Sequence, residues 1–195
     1  MIKLFNRKSR GFTIMELIVS IGVFMSLFLM VTVNFRTAES SNDLRLETQK
    51  IASDIRKLQT LALTGSTYNY NGTSTEMGIG GFGVKFSNGS TTYAIYSDTA
   101  MNYGVLDQDD VLLESVTLAS DFSNILITTE GSDADAYLTF LPRSSMITFK
   151  TIIGESIVDL SAQVLRLEIY HNKVANKKGV IEITPISGQV NFYLE

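Results

Sequence analysis

A single carboxylate lies inside the longest apolar stretch of this chain. The stretch runs from Phe12 to Phe35, and Glu16 is its only Asp, Glu, Lys or Arg. A charged side chain at the centre of a membrane-spanning helix costs about 2.5–3.5 kcal/mol on insertion scales. An opposite charge would offset that cost in an apolar setting. We therefore interpret Glu16 as a functional residue that meets a partner.

A glycine motif is the second candidate for chemistry. Residues 78–83, Gly-Ile-Gly-Gly-Phe-Gly, match the G-x-G-x-x-G spacing of dinucleotide-binding turns. That binding mode needs a strand before the motif and a helix after it, because the helix N-terminus holds the pyrophosphate. Here a polar loop precedes the motif and a strand-like run follows it. We predict a flexible loop that enters a strand, not a cofactor site.

Two acidic runs raise the question of calcium binding. They are Asp98, Asp107, Asp109 and Asp110, and then Glu130, Asp133 and Asp135. Calcium takes about six to eight oxygen ligands that converge from a turn, and neither run has the order of an EF-hand loop. We interpret both runs as solvated acidic turns, with calcium binding at either loop as the alternative. No metal site is predicted.

Catalysis has little support in the residue types. The chain has no cysteine, which excludes a thiol nucleophile, a disulfide and a cysteine-type zinc site. It has no G-x-S-x-G sequence, and His171 is its only histidine, so the serines lack a nearby base. We predict that His171 is partly exposed between strands. The chain is expected to be neither an enzyme nor the holder of a cofactor.

The element that positions Glu16 is a long helix. Residues 12–63 contain no proline and one glycine, Gly22, which predicts a continuous helix ~78 Å long. Its first part, residues 12–35, is apolar on all sides and ~36 Å long, enough to cross a membrane. Its second part, residues 36–64, is amphipathic, and Gly65 marks its end. The apolar stripe, with one longer step over Thr48, is Leu44, Ile51, Ile55, Leu58 and Ala62.

Residues 65–195 are predicted to be rich in strands. A polar segment from Gly65 to Gly81 is expected to form a long loop, and Asn88-Gly89 and Ser187-Gly188 mark hairpins. The predicted strands are 82–87, 91–97, 111–118, 124–129, 136–141, 146–150, 157–160, 164–170, 179–184 and 189–194. The predicted class is α+β, with the long N-terminal helix packed on a mostly antiparallel sheet system.

Residues 10–17 read Arg-Gly-Phe-Thr-Ile-Met-Glu-Leu between a basic leader and the apolar stretch. This arrangement resembles the N-terminus of type IV prepilins and type II secretion pseudopilins over residues 7–60. The matching residues are Lys3, Arg7, Lys8 and Arg10 in the leader, then Gly11, Phe12, Thr13, Glu16 and Leu17. Later segments resemble the H-type pseudopilin and FimT-like minor pilins: 81–86, 93–98, 106–110, 138–143 and 183–190.

The resemblance implies a pilin-like fold and a life cycle. A prepilin peptidase would remove leader residues 1–11 by cutting between Gly11 and Phe12, and would methylate the new amine of Phe12. The mature chain would be a structural subunit, a minor pilin or pseudopilin, of a type IV pilus or type II secretion-like filament. Glu16 would act in assembly. The implied partners are other pilin or pseudopilin subunits and the inner-membrane assembly platform.

Charge places the two ends of the chain. The first eleven residues hold four Lys or Arg and no acid, which predicts a cytoplasmic N-terminus and an extracytoplasmic ectodomain on a single membrane pass. Without those residues the net charge of −4 becomes about −8, which does not indicate nucleic-acid binding. Many major pilins close a loop with a disulfide, so the absence of cysteine favours a minor pilin or pseudopilin.

One alternative belongs to a different class. The chain could be a membrane-anchored extracytoplasmic binding or sensor domain that never polymerises. In that case Gly11 and Glu16 would be incidental, and the leader would remain on the chain.

Overall fold

The computed structural model describes residues 12–99, 104–128, 135–144, 147–153, 156–174 and 176–195. The class is α+β, with one N-terminal helix followed by antiparallel strands. By contacts the chain divides into two compact units, Met1–Glu39 and Ser40–Glu195. The predicted site residue Gly11 lies outside the described residues, as do the leader residues before it.

Helix α1 spans Ile14–Thr64. Its end has the hydrogen bonding of a Schellman motif: Gly65 N–H donates to the Ala62 carbonyl (3.4 Å) and Ser66 N–H to the Leu61 carbonyl (3.0 Å). Gly65 has a φ of 67°, which glycine adopts without a Cβ penalty. The predicted helix end at Gly65 is confirmed.

Within the described residues, twelve strands follow the helix in three antiparallel sheets. Their bounds are β1 Tyr68–Tyr70, β2 Thr73–Thr75, β3 Gly81–Phe86, β4 Thr92–Asp98, β5 Val111–Thr117, β6 Phe122–Ile127, β7 Ala136–Phe140, β8 Ile147–Ile153, β9 Ser156–Asp159, β10 Leu165–His171, β11 Lys178–Thr184 and β12 Gln189–Leu194. A two-stranded sheet pairs β1 with β2. A four-stranded sheet has the order β12-β11-β10-β6, and a six-stranded sheet the order β5-β4-β3-β7-β8-β9.

The core of Ser40–Glu195 forms where the second part of α1 meets both larger sheets. All five predicted stripe residues are buried, with exposed fractions of 0–1%: Leu44, Ile51, Ile55, Leu58 and Ala62. They share one apolar cluster with strand residues such as Val84, Leu138 and Ile181. Thr48 is buried in the same row, where its hydroxyl donates to the Leu44 carbonyl at 2.7 Å. The helix stripe therefore continues through the position where the sequence pattern skips a step.

The expected long loop from Gly65 to Gly81 is wrong in its middle. Strands β1 and β2 pair there, with Tyr70 opposite Thr73 across Asn71 and Gly72. Asn71 and Gly72 have φ values of 49° and 81°, the left-handed pair that a type I′ hairpin turn requires. The polar composition of the segment hid a specific turn signal, Asn-Gly.

Candidate functional site at the start of the helix

Thr13 caps the beginning of α1. Its Oγ1 accepts the backbone N–H of Glu16 at 3.2 Å, and its carbonyl accepts the N–H of Leu17 at 3.2 Å. Thr and Glu three residues apart form the sequence pattern of a capping box, in which the threonine satisfies a free N–H of the first turn. The segment that carries the predicted site thus also contains a helix-start signal.

Glu16 therefore sits in the first helical turn, four residues after Phe12. Negative charge at this end of a helix is favoured by the helix dipole, typically by about 0.3–1 kcal/mol. Both Phe12 and Glu16 are exposed, Phe12 by 77%. Within the described part of the chain, the Glu16 carboxylate has no ion pair.

The helix around Glu16 is apolar on every side. Residues Ile14–Thr32 are long and apolar enough to cross a membrane by length and composition, with a mean hydropathy of 2.4. The three hydroxyls of this span donate hydrogen bonds to backbone carbonyls one turn earlier. Ser20 donates to Glu16 at 2.7 Å, Ser26 to Gly22 at 3.0 Å and Thr32 to Phe28 at 2.8 Å. Among the described residues, Glu16 is thus the one polar side chain of the span that the helix itself does not satisfy.

The first acidic run is a set of loop-fixing hydrogen bonds. The Asp110 carboxylate accepts the N–H groups of Thr99 (2.9 Å) and Asp107 (3.0 Å), and Asp107 accepts that of Asp109 (2.9 Å). Asp98 is 1% exposed and accepts the N–H of Gly104 at 2.7 Å, so its prediction as a solvated acid is wrong. Gly80, just before β3, also packs closely against this carboxylate, since a Cβ there would overlap with it.

The described residues contain no group of three or more His, Asp or Glu that could hold a metal ion. Of the second acidic run, Glu130 and Asp133 lie outside the described residues. Asp135 forms an ion pair with Lys85 at 2.7 Å, which accounts for its position without a metal.

The glycine motif leads into strand β3, as expected, and no helix follows it. Its glycines are close-packed rather than loose. A Cβ at Gly80 would overlap with the Asp98 carboxylate, and one at Gly83 would overlap with the Tyr96 ring. The Tyr96 hydroxyl reaches Thr139 Oγ1 at 3.1 Å across that glycine. Small residues at these positions are explained by packing within the six-stranded sheet.

His171 is buried, with 4% exposure, so the predicted partial exposure is wrong. Its Nδ1 accepts the backbone N–H of Lys173 at 3.1 Å, and its ring meets the ring of Phe122 edge-on at 5.0 Å. The ladder between β10 and β6 shifts register between Tyr170 and His171. His171 continues the buried row of Leu165, Leu167 and Ile169 on β10, so strand alternation turns it inward, where it completes a ring contact.

Sequence reasoning missed a charged network on the outer face of the four-stranded sheet. Arg166 bridges Glu168 (3.2 Å), Glu182 (3.1 Å) and Glu195 (2.6 Å), and Lys178 reaches Glu168 at 2.8 Å. Burial raises the pKa of Glu168, but hydrogen bonds from Lys178, Tyr170 and Arg166 outweigh it and hold the pKa below its usual value. The alternation of charged residues in β10 and β11 was the available signal.

Comparison of this chain with known protein families, with curated proteins and with solved structures finds no match. The function is therefore inferred from the residues and geometry of the chain itself.

Proposed function

We propose that this chain is a structural subunit, a minor pilin or pseudopilin, of a type IV pilus or type II secretion-like filament. It is made as a precursor, cut after Gly11 by a prepilin peptidase and assembled through its N-terminal helix. The observation that carries the proposal is Glu16: one unsatisfied carboxylate in the first turn of an exposed, apolar span. The resemblance of residues 7–60 to prepilins supports the same reading.

Assembly gives Glu16 the cation that its own helix lacks. Cutting after Gly11 creates a positive amine on Phe12, one turn before Glu16 in sequence. In a bundle of such helices, the amine of one subunit can meet the Glu16 of its neighbour. The pair offsets the desolvation of both charges and fixes the axial position of one subunit against the next. On assembly, the exposed apolar side chains of Ile14–Thr32 replace their contacts with lipid by contacts with neighbouring helices.

The folded unit Ser40–Glu195 is then the part that the filament displays. Before assembly the chain waits in the cytoplasmic membrane with its basic N-terminus inside, as the four leading Lys and Arg favour. From Ser40 onward α1 belongs to the folded unit, and its apolar stripe is buried among the strands. One helix therefore serves the proposed filament core and the displayed domain.

Processing is tested by the mass of the chain in cells that express a prepilin peptidase. We expect loss of residues 1–11, a Phe12 N-terminus and an added methyl group. Gly11→Val should retain the precursor mass, since a branched side chain obstructs the close approach of the peptidase to the backbone. A chain that keeps its leader in such cells would support the non-polymerising, membrane-anchored domain instead.

Assembly is tested at Glu16 by quantifying the subunit in sheared filaments. Glu16→Ala and Glu16→Gln should both be processed and inserted but poorly incorporated, because each removes the counter-charge. Ser20→Ala is the matched control, since the Ser20 hydroxyl is already bonded within the helix. If Glu16→Gln incorporated normally while Glu16→Ala did not, hydrogen bonding and not charge pairing would be the role of Glu16. Normal incorporation of both variants would contradict the register role.

A further inference from the structure

The last strand of the four-stranded sheet has one open edge. Lys178 and Glu195 exchange both backbone hydrogen bonds, each at 2.9 Å. In an antiparallel ladder, paired and unpaired positions alternate, so Tyr193 also bonds to β11. The N–H and C=O groups of Val190, Phe192 and Leu194 consequently point away from β11. Strand β12 thus offers these groups to a further strand.

Helix α1 covers only the first half of this edge. Arg56 donates to the Val190 carbonyl at 2.6 Å, and Gln59 donates to the Gly188 carbonyl at 3.1 Å. Beyond Val190 the covering stops. For the outward backbone groups of Phe192 and Leu194, no partner lies in the described part of the chain.

The other edges of the two larger sheets are protected, which sets this one apart. Edge β6 is closed by the turn before β4, since Ser90 and Ile125 form a bridge and Asn88 accepts the Ile127 N–H at 3.0 Å. Edge β5 carries a register shift opposite Ile95 and Tyr96. Edge β9 has four residues. Covering, bulges and shortness are the means by which proteins prevent edges from pairing. Strand β12 has six residues and no register shift against β11, and its cover ends at Val190.

A groove of about 410 Å³ runs along this open segment. Its lining is Arg45, Thr48, Phe192, Tyr193 and Leu194. On the side that faces α1, exposure grows along the strand from 5% at Val190 to 37% at Leu194. The groove therefore combines unpaired backbone groups with apolar side chains, the two features that bind an extended peptide.

The charge of the groove is positive. Arg45 has no ion pair with any residue that the structure describes, and Arg56 lies 5.7 Å above the Phe192 ring. The nearest acid along the strand, Glu195, is engaged on the outer face of the sheet by Arg166 and Lys178. A carboxylate from a partner would complement Arg45.

We propose that Phe192–Leu194 is a docking edge for an extended acidic segment of a partner protein. The segment adds a fifth strand beside β12, hydrogen-bonding to the backbone of Phe192 and Leu194. Its apolar side chains fill the groove beside Thr48, and one of its carboxylates pairs with Arg45. This surface lies entirely within Ser40–Glu195 and does not depend on the role of Glu16.

The test uses the purified full chain in detergent micelles and fluorescent peptides about nine residues long. The peptides alternate valine with threonine and carry one glutamate, placed at each position in turn. Binding is followed by fluorescence anisotropy. We expect saturable binding of at least one peptide, and loss of binding when alternate backbone nitrogens of that peptide are methylated. Equal binding of the methylated peptide, or no binding by any member of the set, would overturn the proposal.

Two matched pairs of protein variants locate the contact. Leu194→Pro removes the outward N–H but leaves the ladder to β11, and should weaken binding about tenfold. Leu194→Ala keeps that N–H and should weaken binding by less than about threefold. Arg45→Gln should weaken binding of the glutamate peptide but not binding of the same peptide with glutamine in place of glutamate. Lys50→Gln should change the binding of neither peptide. Equal binding by Arg45→Gln and Lys50→Gln would reject the charge contact.

Two further outcomes concern an unfolded Leu194→Pro variant and a dimer of the chain. If Leu194→Pro loses the thermal transition of the wild type, the methylated peptide on the unmodified protein decides the question alone. If the wild-type chain dimerises in micelles and Leu194→Pro is monomeric, a second copy fills the edge and the partner peptide is wrong.

Discussion

The two parts of helix α1 contrast in what surrounds their apolar residues. In Ile14–Thr32 large apolar side chains are exposed on every side, such as Phe24 at 73% and Leu29 at 66%. In the second part the apolar residues form one stripe that is covered by strands, and charged residues occupy the other faces. Helical backbone geometry is the same in both. The distribution of side chains around the axis decides which surroundings each part requires.

The contrast also explains where polar groups are tolerated. Hydroxyls of the first part bond within their own helix, as Ser20 and Ser26 do. In the second part the Thr48 hydroxyl does the same, but the longer side chains of Arg56 and Gln59 reach across to β12 and its turn. The hydroxyls of the first part are thus satisfied within the helix, while its apolar side chains remain exposed. The second is tied to its own domain.

The largest expected effect is a charge placed in the covered stripe. Ile55 is 1% exposed. Ile55→Asp should lower the free energy of unfolding of Ser40–Glu195 by about 3–5 kcal/mol, because it buries an unpaired carboxylate. We expect the separately expressed unit to be soluble and folded without metal or cofactor, and its thermal melting measures the loss. Ser53→Asp, on the exposed face, is the control. Equal melting of both variants would mean that the stripe is not the core.

A lysine distinguishes the two parts at matched exposure. Val23 in the first part is 55% exposed, and Leu46 in the second is 63% exposed. Val23→Lys should disfavour membrane insertion by about 3 kcal/mol, whereas Leu46→Lys should leave insertion unchanged. The fraction of chain that resists alkaline extraction from membranes reports the difference. If the same fraction of both variants resisted extraction, the two parts of α1 would not differ in their relation to the membrane.

A close contact between helix and sheet gives a smaller effect. A Cβ at Gly179 would overlap with the Thr48 hydroxyl. Gly179→Ala should cost about 1–3 kcal/mol through overpacking. Adding Thr48→Ala removes the overlapping hydroxyl, so the double variant should recover part of the loss. A double-variant cycle from chemical denaturation measures that coupling, and strictly additive losses would show that the contact is not close.

The smallest effect concerns acid. Because the folded pKa of Glu168 lies below its usual value, its stabilising contribution is complete above about pH 4.5 and declines as the pH falls through the folded pKa. Glu168→Gln should therefore be less stable at pH 7, by about 1 kcal/mol or less, and should lose less stability on acidification. Melting temperatures from pH 7 to pH 3 test this. If the variant lost as much stability on acidification as the wild type, groups other than Glu168 would be responsible for the loss.

Local patterns predicted most of the elements. The helix end, the stripe and the strand runs each rest on short-range signals: a glycine, a period of three to four residues, and β-branched runs between turns. The hairpin of β1 and β2 carried such a signal in Asn71-Gly72 but was hidden by polar neighbours. Glu16 stood out because a charge in an apolar stretch is visible without any fold.

Tertiary arrangement accounts for what the sequence did not reveal. Asp98 is buried against Gly80 and Gly104, and His171 against Phe122, so both depend on segments that are not adjacent in sequence. Thr48 lies in the core because Gly179, far along the chain, leaves room for it. The open edge at Phe192 follows from the order of strands in the sheet, and short-range sequence patterns do not predict that order.

The bonds from Arg56 and Gln59 to the β12 region join groups that are 134 and 129 residues apart in sequence. Synthesis proceeds from the N-terminus, so the helix stripe emerges long before the strand that closes over it. Contacts of such high sequence separation slow folding and leave apolar surface exposed meanwhile. In this chain α1 is therefore made before β12, the strand that Arg56 contacts. Until β12 is made, the uncovered part of the stripe adds to the risk of aggregation.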